Sequence, residues 1–276
     1  ILTILQQIMG NRRSPLIYFF STLISGTLLW LAWPERGFSA LIFIAFIPIL
    51  WLEEKFLGRE TKKAGLKMFG YYYLSLLTWN GLTTYWIWYA SDVGGIFALA
   101  ANALLMCIVW LIYFTTRRRY GTFIGYLSLL AYWLAFEYLH LNWELSWPWL
   151  TLGNVFAHNP EWIQWYEYTG VLGGTLWVLL INILLFQLIK TFFKKDTMPK
   201  IWRMNTLILS LVSVILIGGP LLLSKFIYER RTDKGEPVNV VVVQPNIDPY
   251  NEKFSGPAAD QLAKLLRLSS TMIDSS

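Results

Sequence analysis

The stretch that decides the fold is Met204–Ser224, MNTLILSLVSVILIGGPLLLS, which contains no charged side chain. A membrane-crossing helix needs about 20 mostly apolar residues, so this stretch predicts a membrane span. The composition of the chain agrees, because 55% of its residues are hydrophobic and 14% are charged. A soluble domain carries roughly 25% charged residues. The sequence therefore predicts an integral membrane protein.

Working outward from this stretch, six further segments have the length and apolarity of a span, or nearly so. They are Pro15–Trp33, Gly37–Leu52, Met68–Ser91, Val93–Thr116, Tyr120–Leu139 and Tyr168–Ile189. The second is short and contains Pro48, so it either crosses with little tilt or dips in as a hairpin with the first. The first ends at Trp33-Pro34 without a small-residue cleavage site, which favours a retained span over a signal peptide. Residues 1–227 are thus predicted to form an α-helical bundle of seven spans.

The basic residues predict the orientation of this bundle. Alternate connections, beginning with the N-terminus, carry fifteen Lys and Arg residues against one, Arg36, in the remaining loops. Basic residues are retained on the cytoplasmic side during insertion. The N-terminus is therefore predicted to be cytoplasmic, and everything after Ser224 extracytoplasmic. The same loops account for the net charge of +6, so no nucleic-acid partner is expected.

After the seventh span the composition changes. Residues 228–237 are charged and read as a linker. Val238–Val243 is a β-branched run bounded by prolines, which is typical of a buried strand. Pro257 and Asp260 then mark a helix start, and an apolar face follows, formed by Ala259, Leu262, Leu265, Leu266 and Ile273. Residues 238–276 therefore read as the start of an α/β domain, incomplete because one strand and one helix cannot bury a core.

Several polar residues lie in or near the predicted spans. Glu137 and His140 are candidates for function, because a carboxylate close to a bilayer is costly; near a helix end, Glu137 could equally reach water. Asn102 and Asn182 are expected to hydrogen-bond between helices. Cys107 is expected to be buried as a small hydrophobe. The two histidines have poor spacing for a metal site, and no metal or other cofactor is predicted.

Two segments are candidates for binding substrate. Trp147, Pro148 and Trp149 concentrate aromatic faces in the fifth loop, where they form either an interfacial aromatic belt or a lipid-facing platform at headgroup depth. The second candidate follows the predicted strand and comprises Gln244, Asn246, Lys253 and Phe254. Polar groups at the carboxyl end of a buried strand often form a site in α/β folds, but a plain polar connection is an equal alternative.

The chain resembles the apolipoprotein N-acyltransferase family, membrane enzymes with a nitrilase-like αββα domain. Three stretches carry the resemblance, namely Tyr85-Trp86-Ile87-Trp88 with Gly94-Gly95, Trp147-Pro148-Trp149-Leu150 with Gly153, and Val240–Gln244 with Asn246-Ile247 and Lys253-Phe254. They occur in the family's order over nearly the whole chain. The family often has Lys-Trp where this chain has Lys253-Phe254, so the aromatic ring is kept and the indole N–H is lost.

The resemblance implies an enzyme of the inner membrane with its catalytic domain in the periplasm. It implies two acyl transfers, from a phospholipid to a Cys thiol and then to the N-terminal diacylglyceryl-cysteine of an apolipoprotein. The Glu–Lys–Cys triad of the family is expected beyond Ser276, so no catalytic residue is assigned in this chain, which is expected to be inactive alone. The alternatives are a polytopic binding or transport protein and a membrane-tethered nitrilase-type amidase.

Overall fold

The structure is a computed structural model that describes residues 14–58, 63–193, 200–230, 235, 238, 240–248, 251–254 and 256–271. Its α-helices are α1 (Ser14–Ala32), α2 (Ile47–Leu57), α3 (Ala64–Thr83), α4 (Asp92–Asn142), α5 (Tyr166–Phe193), α6 (Lys200–Arg230) and α7 (Ala258–Ser270). Short 3₁₀ turns form at Ser39–Phe43, Tyr85–Tyr89, Pro148–Leu150, Leu152–Phe156 and Pro160–Trp162. The chain divides into two compact units. The first comprises Ile1–Tyr85 with Phe97–Arg230, and the second Trp86–Ile96 with Arg231–Ser276.

Four helices within the described ranges are long and apolar enough to cross a membrane. They contain the segments Pro15–Ala32, Asp92–Asn142, Tyr166–Phe192 and Met204–Arg230. The prediction of a helical membrane protein is therefore confirmed. Helix α6 leaves much of its apolar surface exposed, including Leu207, Leu211 and Val214, as expected for a helix whose surroundings are lipid.

The 51-residue helix α4 folds back on itself at Gly121. The backbone of Gly121 has φ 87° and ψ 179°, a conformation that only glycine adopts without strain. Trp110 lies 6.2 Å from Trp133, and Tyr113 lies 6.4 Å from Tyr126, between ring centroids. In both pairs, one residue precedes Gly121 and the other follows it, and the pair that starts farther before Gly121 also ends farther after it. This is the pattern of two antiparallel helices. The two halves correspond to the fourth and fifth predicted spans.

The prediction of a single helix over Gly37–Leu52 is wrong. The segment forms the 3₁₀ turn Ser39–Phe43 and then the 11-residue helix α2, which at 1.5 Å per residue is about 17 Å long and too short to span a membrane. Pro48 lies in the first turn of α2, where its missing N–H costs nothing, whereas it could not continue a helix from before.

The irregular backbone before α2 is satisfied by a buried side chain of α5. The amide of Asn182 donates to the Ile42 carbonyl at 2.8 Å and accepts from the Phe46 N–H at 2.9 Å. Ser25 of α1 donates to the Ala45 carbonyl at 2.7 Å. Non-helical backbone is tolerated at membrane depth only when protein groups satisfy it in this way. The prediction that Asn182 bonds between elements is confirmed.

The third predicted span, Met68–Ser91, is too long at its carboxyl end. Helix α3 ends at Thr83, and Tyr85–Tyr89 forms a 3₁₀ turn. Within α3, Asn80 accepts a hydrogen bond from Asn102 of α4 at 2.7 Å. The prediction that Asn102 hydrogen-bonds between helices is thus confirmed.

Pro220 interrupts the hydrogen bonding of α6, and a neighbouring helix compensates. Because Pro220 has no N–H, the Leu216 carbonyl one turn earlier loses its partner within the helix. The indole N–H of Trp177 in α5 donates to that carbonyl at 2.6 Å. Trp177 therefore fixes the contact between α5 and α6.

The second unit differs from its prediction. The described residues of the segment 238–248 contain no strand, and Val238, Val240 and Val242 are exposed, so the prediction of a buried strand is wrong here. A strand needs a partner strand and a covering layer, and neither is present among the described residues. Helix α7 forms as predicted, directly after Pro257. Leu262 and Leu266 of its apolar face are exposed, and Ile273 lies outside the described residues.

Helix α6 continues to Arg230, so residues 228–230 of the predicted linker are helical. Most of residues 231–237 lie outside the described ranges. The domain boundaries at residues 227 and 238 stay predictions.

Candidate functional site

The candidate site in the first unit is the segment Trp147–Phe156, here called the platform. It consists of two consecutive 3₁₀ turns, and the first begins at Pro148. The Asn154 side chain donates to the Pro148 carbonyl at 3.0 Å and closes the two turns on each other. Leu152 and Phe156 are buried, whereas the Trp149 side chain is 55% exposed. The platform therefore has a packed base and an exposed indole.

Glu137 of α4 holds this base in place. Its Oε1 accepts a hydrogen bond from the Trp133 indole at 2.8 Å and one from the Leu152 N–H at 2.9 Å. Its Oε2 accepts one from the Thr175 hydroxyl of α5. Only 3% of Glu137 is exposed, so the idea that it reaches water is wrong. The carboxylate joins α4, the platform and α5.

Gly153 packs the platform onto α5. A Cβ at this position would lie 2.1 Å from the Val171 carbonyl oxygen, so no other residue fits without a shift. The Gly153 N–H donates to the Thr175 hydroxyl at 3.1 Å, and the Tyr166 hydroxyl donates to the Gly153 carbonyl at 3.0 Å. Both backbone polar groups of Gly153 are thus hydrogen-bonded to α5.

An aromatic cluster packs against the buried base of the platform. The Trp177 ring lies 5.1 Å from Phe156 and 4.7 Å from Phe43 between centroids. Ser39 also donates to the Val155 carbonyl at 3.0 Å. Such rings add about 0.5–1.5 kcal/mol per pair beyond the area that they bury, so the base of the platform is well ordered.

The three predicted residues of the platform differ in their surroundings. Trp149 and Pro148 are exposed, and Trp147 is half-buried. The indole nitrogen of Trp147 is buried and has no hydrogen-bond partner within the part of the chain that the structure describes. Trp147 immediately precedes the turn that contains Pro148 and Trp149, and the substrate-binding role of the three residues stays a prediction.

The other predicted site residues lie in the second unit. Gln244, Asn246, Lys253 and Phe254 are all in its described loop, where the Phe254 ring is 84% exposed. Asn246 has φ 47°, a left-handed conformation that asparagine tolerates better than most residues. The Lys253 ammonium lies 5.3 Å from the Phe254 ring centroid. The two candidate segments therefore belong to different compact units.

Helix α7 holds this loop. The Gln261 side chain donates to the carbonyls of Glu252 and Lys253 at 2.9 and 3.1 Å. Lys264 pairs with the Glu252 carboxylate at 3.2 Å. Glu252 and Lys253 of the polar connection are thus bound to the helix that follows them.

A second polar chain lies near Glu137. The His140 Nε2 lies 2.9 Å from the Asn102 Oδ1, and Asn102 donates onward to Asn80. The chain links the two halves of α4 with α3. His140 is 6% exposed, and its Nδ1 is unpaired as far as the described residues extend.

A charged cluster lies beside the Gly121 turn of α4. The Arg117 guanidinium donates to Glu53 at 3.0 Å and to Glu54 at 2.7 Å, and Lys190 donates to Glu54 at 2.6 Å. The cluster joins α2, α4 and α5.

Cys107 is buried, as predicted. Its thiol donates to the Phe69 carbonyl at 3.4 Å. In the described ranges, no group of three or more His, Cys, Asp or Glu side chains converges as a metal site would require.

The partners of Glu137 were not predicted from the sequence. Thr175 follows Glu137 by 38 positions, and no local pattern connects the two residues. The only available signal was a single hydroxyl in the otherwise apolar run after Gly173-Gly174. A polar group inside a span usually has a partner on another helix.

Comparison with known proteins identifies relatives over most of the chain. Residues 25–184 match the apolipoprotein N-acyltransferase N-terminal domain. The apolipoprotein N-acyltransferase of Chlorobaculum tepidum is 29% identical over 243 residues, which are 86% of this chain and 43% of the relative. That of Geobacter metallireducens is 26% identical over 234 residues, 83% of this chain and 43% of the relative. The chain therefore spans less than half the length of these curated relatives. No solved structure matches it significantly.

Proposed function

The chain belongs to the apolipoprotein N-acyltransferase family through its N-terminal domain, and from that premise we propose that it forms the membrane part of such an enzyme. The proposed reaction moves an acyl chain from a phospholipid to the N-terminal diacylglyceryl-cysteine of an apolipoprotein. The observation that carries the proposal is the platform, which has a fixed base and an exposed indole beside membrane helices. Both proposed substrates are lipid-anchored, so a lipid-facing site suits them.

The proposed chemistry has two steps. A Glu base takes the proton of a Cys thiol, and the thiolate attacks the phospholipid ester to give a thioester and a lysophospholipid. The α-amine of the diacylglyceryl-cysteine then attacks the thioester, which gives an amide and restores the thiol. A Lys with backbone donors stabilises the oxyanion in both steps. In this proposal the triad lies C-terminal to α7, in a nitrilase-like domain.

The proposed bundle crosses the inner membrane seven times, with α2 and the preceding turn as a broken second crossing. Ser39 contacts the platform through Val155, while Glu53 at the other end of the segment contacts Arg117 beside the Gly121 turn. Contacts at opposite ends of the hairpin that the two halves of α4 form support a crossing despite the short helix. The antiparallel halves of α4 support two further crossings.

The proposed orientation has a cytoplasmic N-terminus and a periplasmic second unit. The loop charges support it, because the Gly121 turn carries Arg117, Arg118 and Arg119 and so belongs on the cytoplasmic side. The platform follows the carboxyl end of α4, one helix length from the Gly121 turn, and therefore belongs on the extracytoplasmic side. The exposed valines of residues 238–242 and the exposed leucines of α7 support packing of this unit within a larger α/β domain.

The buried ionisable groups of the first unit do not favour a transport protein. Transport sites place such groups along a pathway, but Glu137 accepts three hydrogen bonds from protein donors, and Arg117 contacts two carboxylates. These partners account for their burial.

The test uses the full-length protein, a phospholipid with isotope-labelled acyl chains and a diacylglyceryl-cysteine peptide. The expected result is label in an amide on the peptide, with one lysophospholipid released for each transfer. Release of the label as free fatty acid without peptide acylation, or of ammonia from an amide substrate, would favour a membrane-tethered amidase. Residues 1–276 alone serve as the comparison and are expected to be inactive.

A further inference from the structure

Trp149 lies between two fixed points of the platform. The Pro148 carbonyl before it accepts the Asn154 side chain at 3.0 Å, and the Leu152 N–H after it donates to Glu137 at 2.9 Å. Only two residues separate Trp149 from Leu152. Thr151, between the two turns, is held by its N–H on the Pro148 carbonyl at 3.3 Å and by its carbonyl, which accepts the Asn154 N–H at 2.9 Å. Any shift of Leu152 therefore moves the exposed indole.

We propose that Glu137 is a positioning residue, whose carboxylate holds Trp149 against an acyl chain of the phospholipid donor. This inference rests on the proposed function for the identity of the lipid as donor. Glu137 itself is buried and touches no lipid. It acts through the Leu152 N–H and through Thr175, whose hydroxyl also accepts the Gly153 N–H.

The requirement for a carboxylate follows from the donors around it. Two N–H groups converge on Oε1, and a hydroxyl donates to Oε2, so both oxygens must act as acceptors. Glutamine offers one oxygen and would turn an NH₂ group toward one of the donors. Leucine offers no acceptor and leaves the Leu152 N–H and the Trp133 indole without their partner.

The Trp149 indole is better suited to contact an acyl chain than a charged headgroup. Its ring is a large apolar surface in the segment that follows the membrane helix α4, and indoles favour the depth between headgroups and chains. The outer part of the donor's acyl chain near the glycerol lies at this depth. The proposal therefore assigns Trp149 to the chain segment next to the ester that is cleaved.

The experiment measures photocrosslinking, which requires no catalysis. The full-length protein is placed in bilayer discs with a phospholipid that carries a diazirine near the ester end of one acyl chain. The yield at the peptide containing Trp149 is divided by the yield at the peptide containing Phe123, a residue of α4 beside the Gly121 turn that is 79% exposed. The variants are Glu137→Leu, Glu137→Gln, Thr175→Val and Trp149→Ala. Glu144→Gln, an exposed acid between Glu137 and the platform, is the matched control.

We expect Glu137→Leu to lower this ratio at least about threefold, the effect of losing about one interhelical hydrogen bond. Glu137→Gln and Thr175→Val should give smaller reductions, and Glu144→Gln should match the unmodified protein. An unchanged ratio in a folded Glu137→Leu protein overturns the proposal. If that variant does not fold, unchanged ratios in both Glu137→Gln and Thr175→Val overturn it equally.

A kinetic measurement separates positioning from a general loss of folded protein. With positioning, Glu137→Gln raises the KM for phospholipid while kcat per folded molecule stays nearly constant. A merely structural role lowers the amount of folded enzyme and leaves KM unchanged, which contradicts the proposal.

If the unmodified protein transfers no acyl chain but its crosslinking depends on Glu137, the proposed function fails and the positioning role stands. If it transfers acyl chains but its crosslinking does not depend on Glu137, the positioning role fails and the proposed function stands.

Discussion

The hydrogen bond from Trp177 to the Leu216 carbonyl predicts a specific rescue between two helices. Trp177→Phe removes the side-chain donor to this carbonyl, and Pro220 cannot supply the backbone N–H that a regular helix would place there. Pro220→Ala restores an N–H at the position from which a regular helix would bond to Leu216. The cost of losing the indole should therefore be smaller when residue 220 is alanine.

The magnitude follows from the energetics of hydrogen bonds in membranes. Interhelical bonds in bilayers contribute about 0.6 kcal/mol on average in double-mutant cycles and about 1–2 kcal/mol in model peptides. The coupling energy between the two substitutions is therefore expected to be about 0.6–2 kcal/mol, or about 3- to 30-fold in the unfolding equilibrium. Trp177→Phe also loses packing against Phe43 and Phe156, but that loss is common to both backgrounds and cancels in the cycle.

The assay is the free energy of unfolding of the full-length protein and its three variants, measured by denaturant titration in mixed micelles or by steric trapping. Trp165→Phe is the matched control, since its indole donates within the loop to the Trp162 carbonyl at 3.1 Å and should show no coupling to residue 220. If Trp177→Phe costs the same with and without the Pro220→Ala substitution, the reasoning is refuted.

Three further predictions concern the bundle. Arg117→Met leaves the buried Glu53 carboxylate without its ion pair and should cost about 3–5 kcal/mol in the free energy of unfolding; the double variant with Glu53→Gln should recover part of this, and a simple sum of the two costs would contradict the pairing. Asn102→Leu cuts the polar chain between α3 and α4 and should lower unfolding stability by about 0.6 kcal/mol, with about 1.7 kcal/mol as an upper value. In intact cells, an impermeant maleimide should label Leu145→Cys but not Lys63→Cys, and the reverse pattern would contradict the proposed orientation.

Local sequence signals predicted the features that depend on composition and on single residues. The apolar run Met204–Ser224 predicted α6, and Asn102 and Asn182 predicted interhelical hydrogen bonds, because an amide in an apolar run needs a partner. Pro48 marked the weak point of the second span. The break occurred because proline cannot extend a helix, and Asn182 could satisfy the irregular backbone.

Features that depend on distant residues were not predictable in the same way. The role of Glu137 depends on Leu152 and Thr175, which lie 15 and 38 positions away. The β-branched run at Val238–Val243 predicted a strand, but a strand forms only with a partner to pair with, and the described residues provide none. The resemblance of Trp147-Pro148-Trp149 to a motif of the family favoured a substrate-binding role for the platform. The properties of these three residues alone did not distinguish that role from an interfacial aromatic belt.

The most direct test of the account is the mass of a lipoprotein's N-terminal peptide. Cells depleted of their own apolipoprotein N-acyltransferase would express the full-length form of this protein, and the N-terminal lipopeptide of an abundant lipoprotein would be measured by mass spectrometry. The account predicts that the diacylated peptide gains one amide-linked acyl chain. A peptide that stays diacylated while the protein is present and folded in the membrane would contradict it.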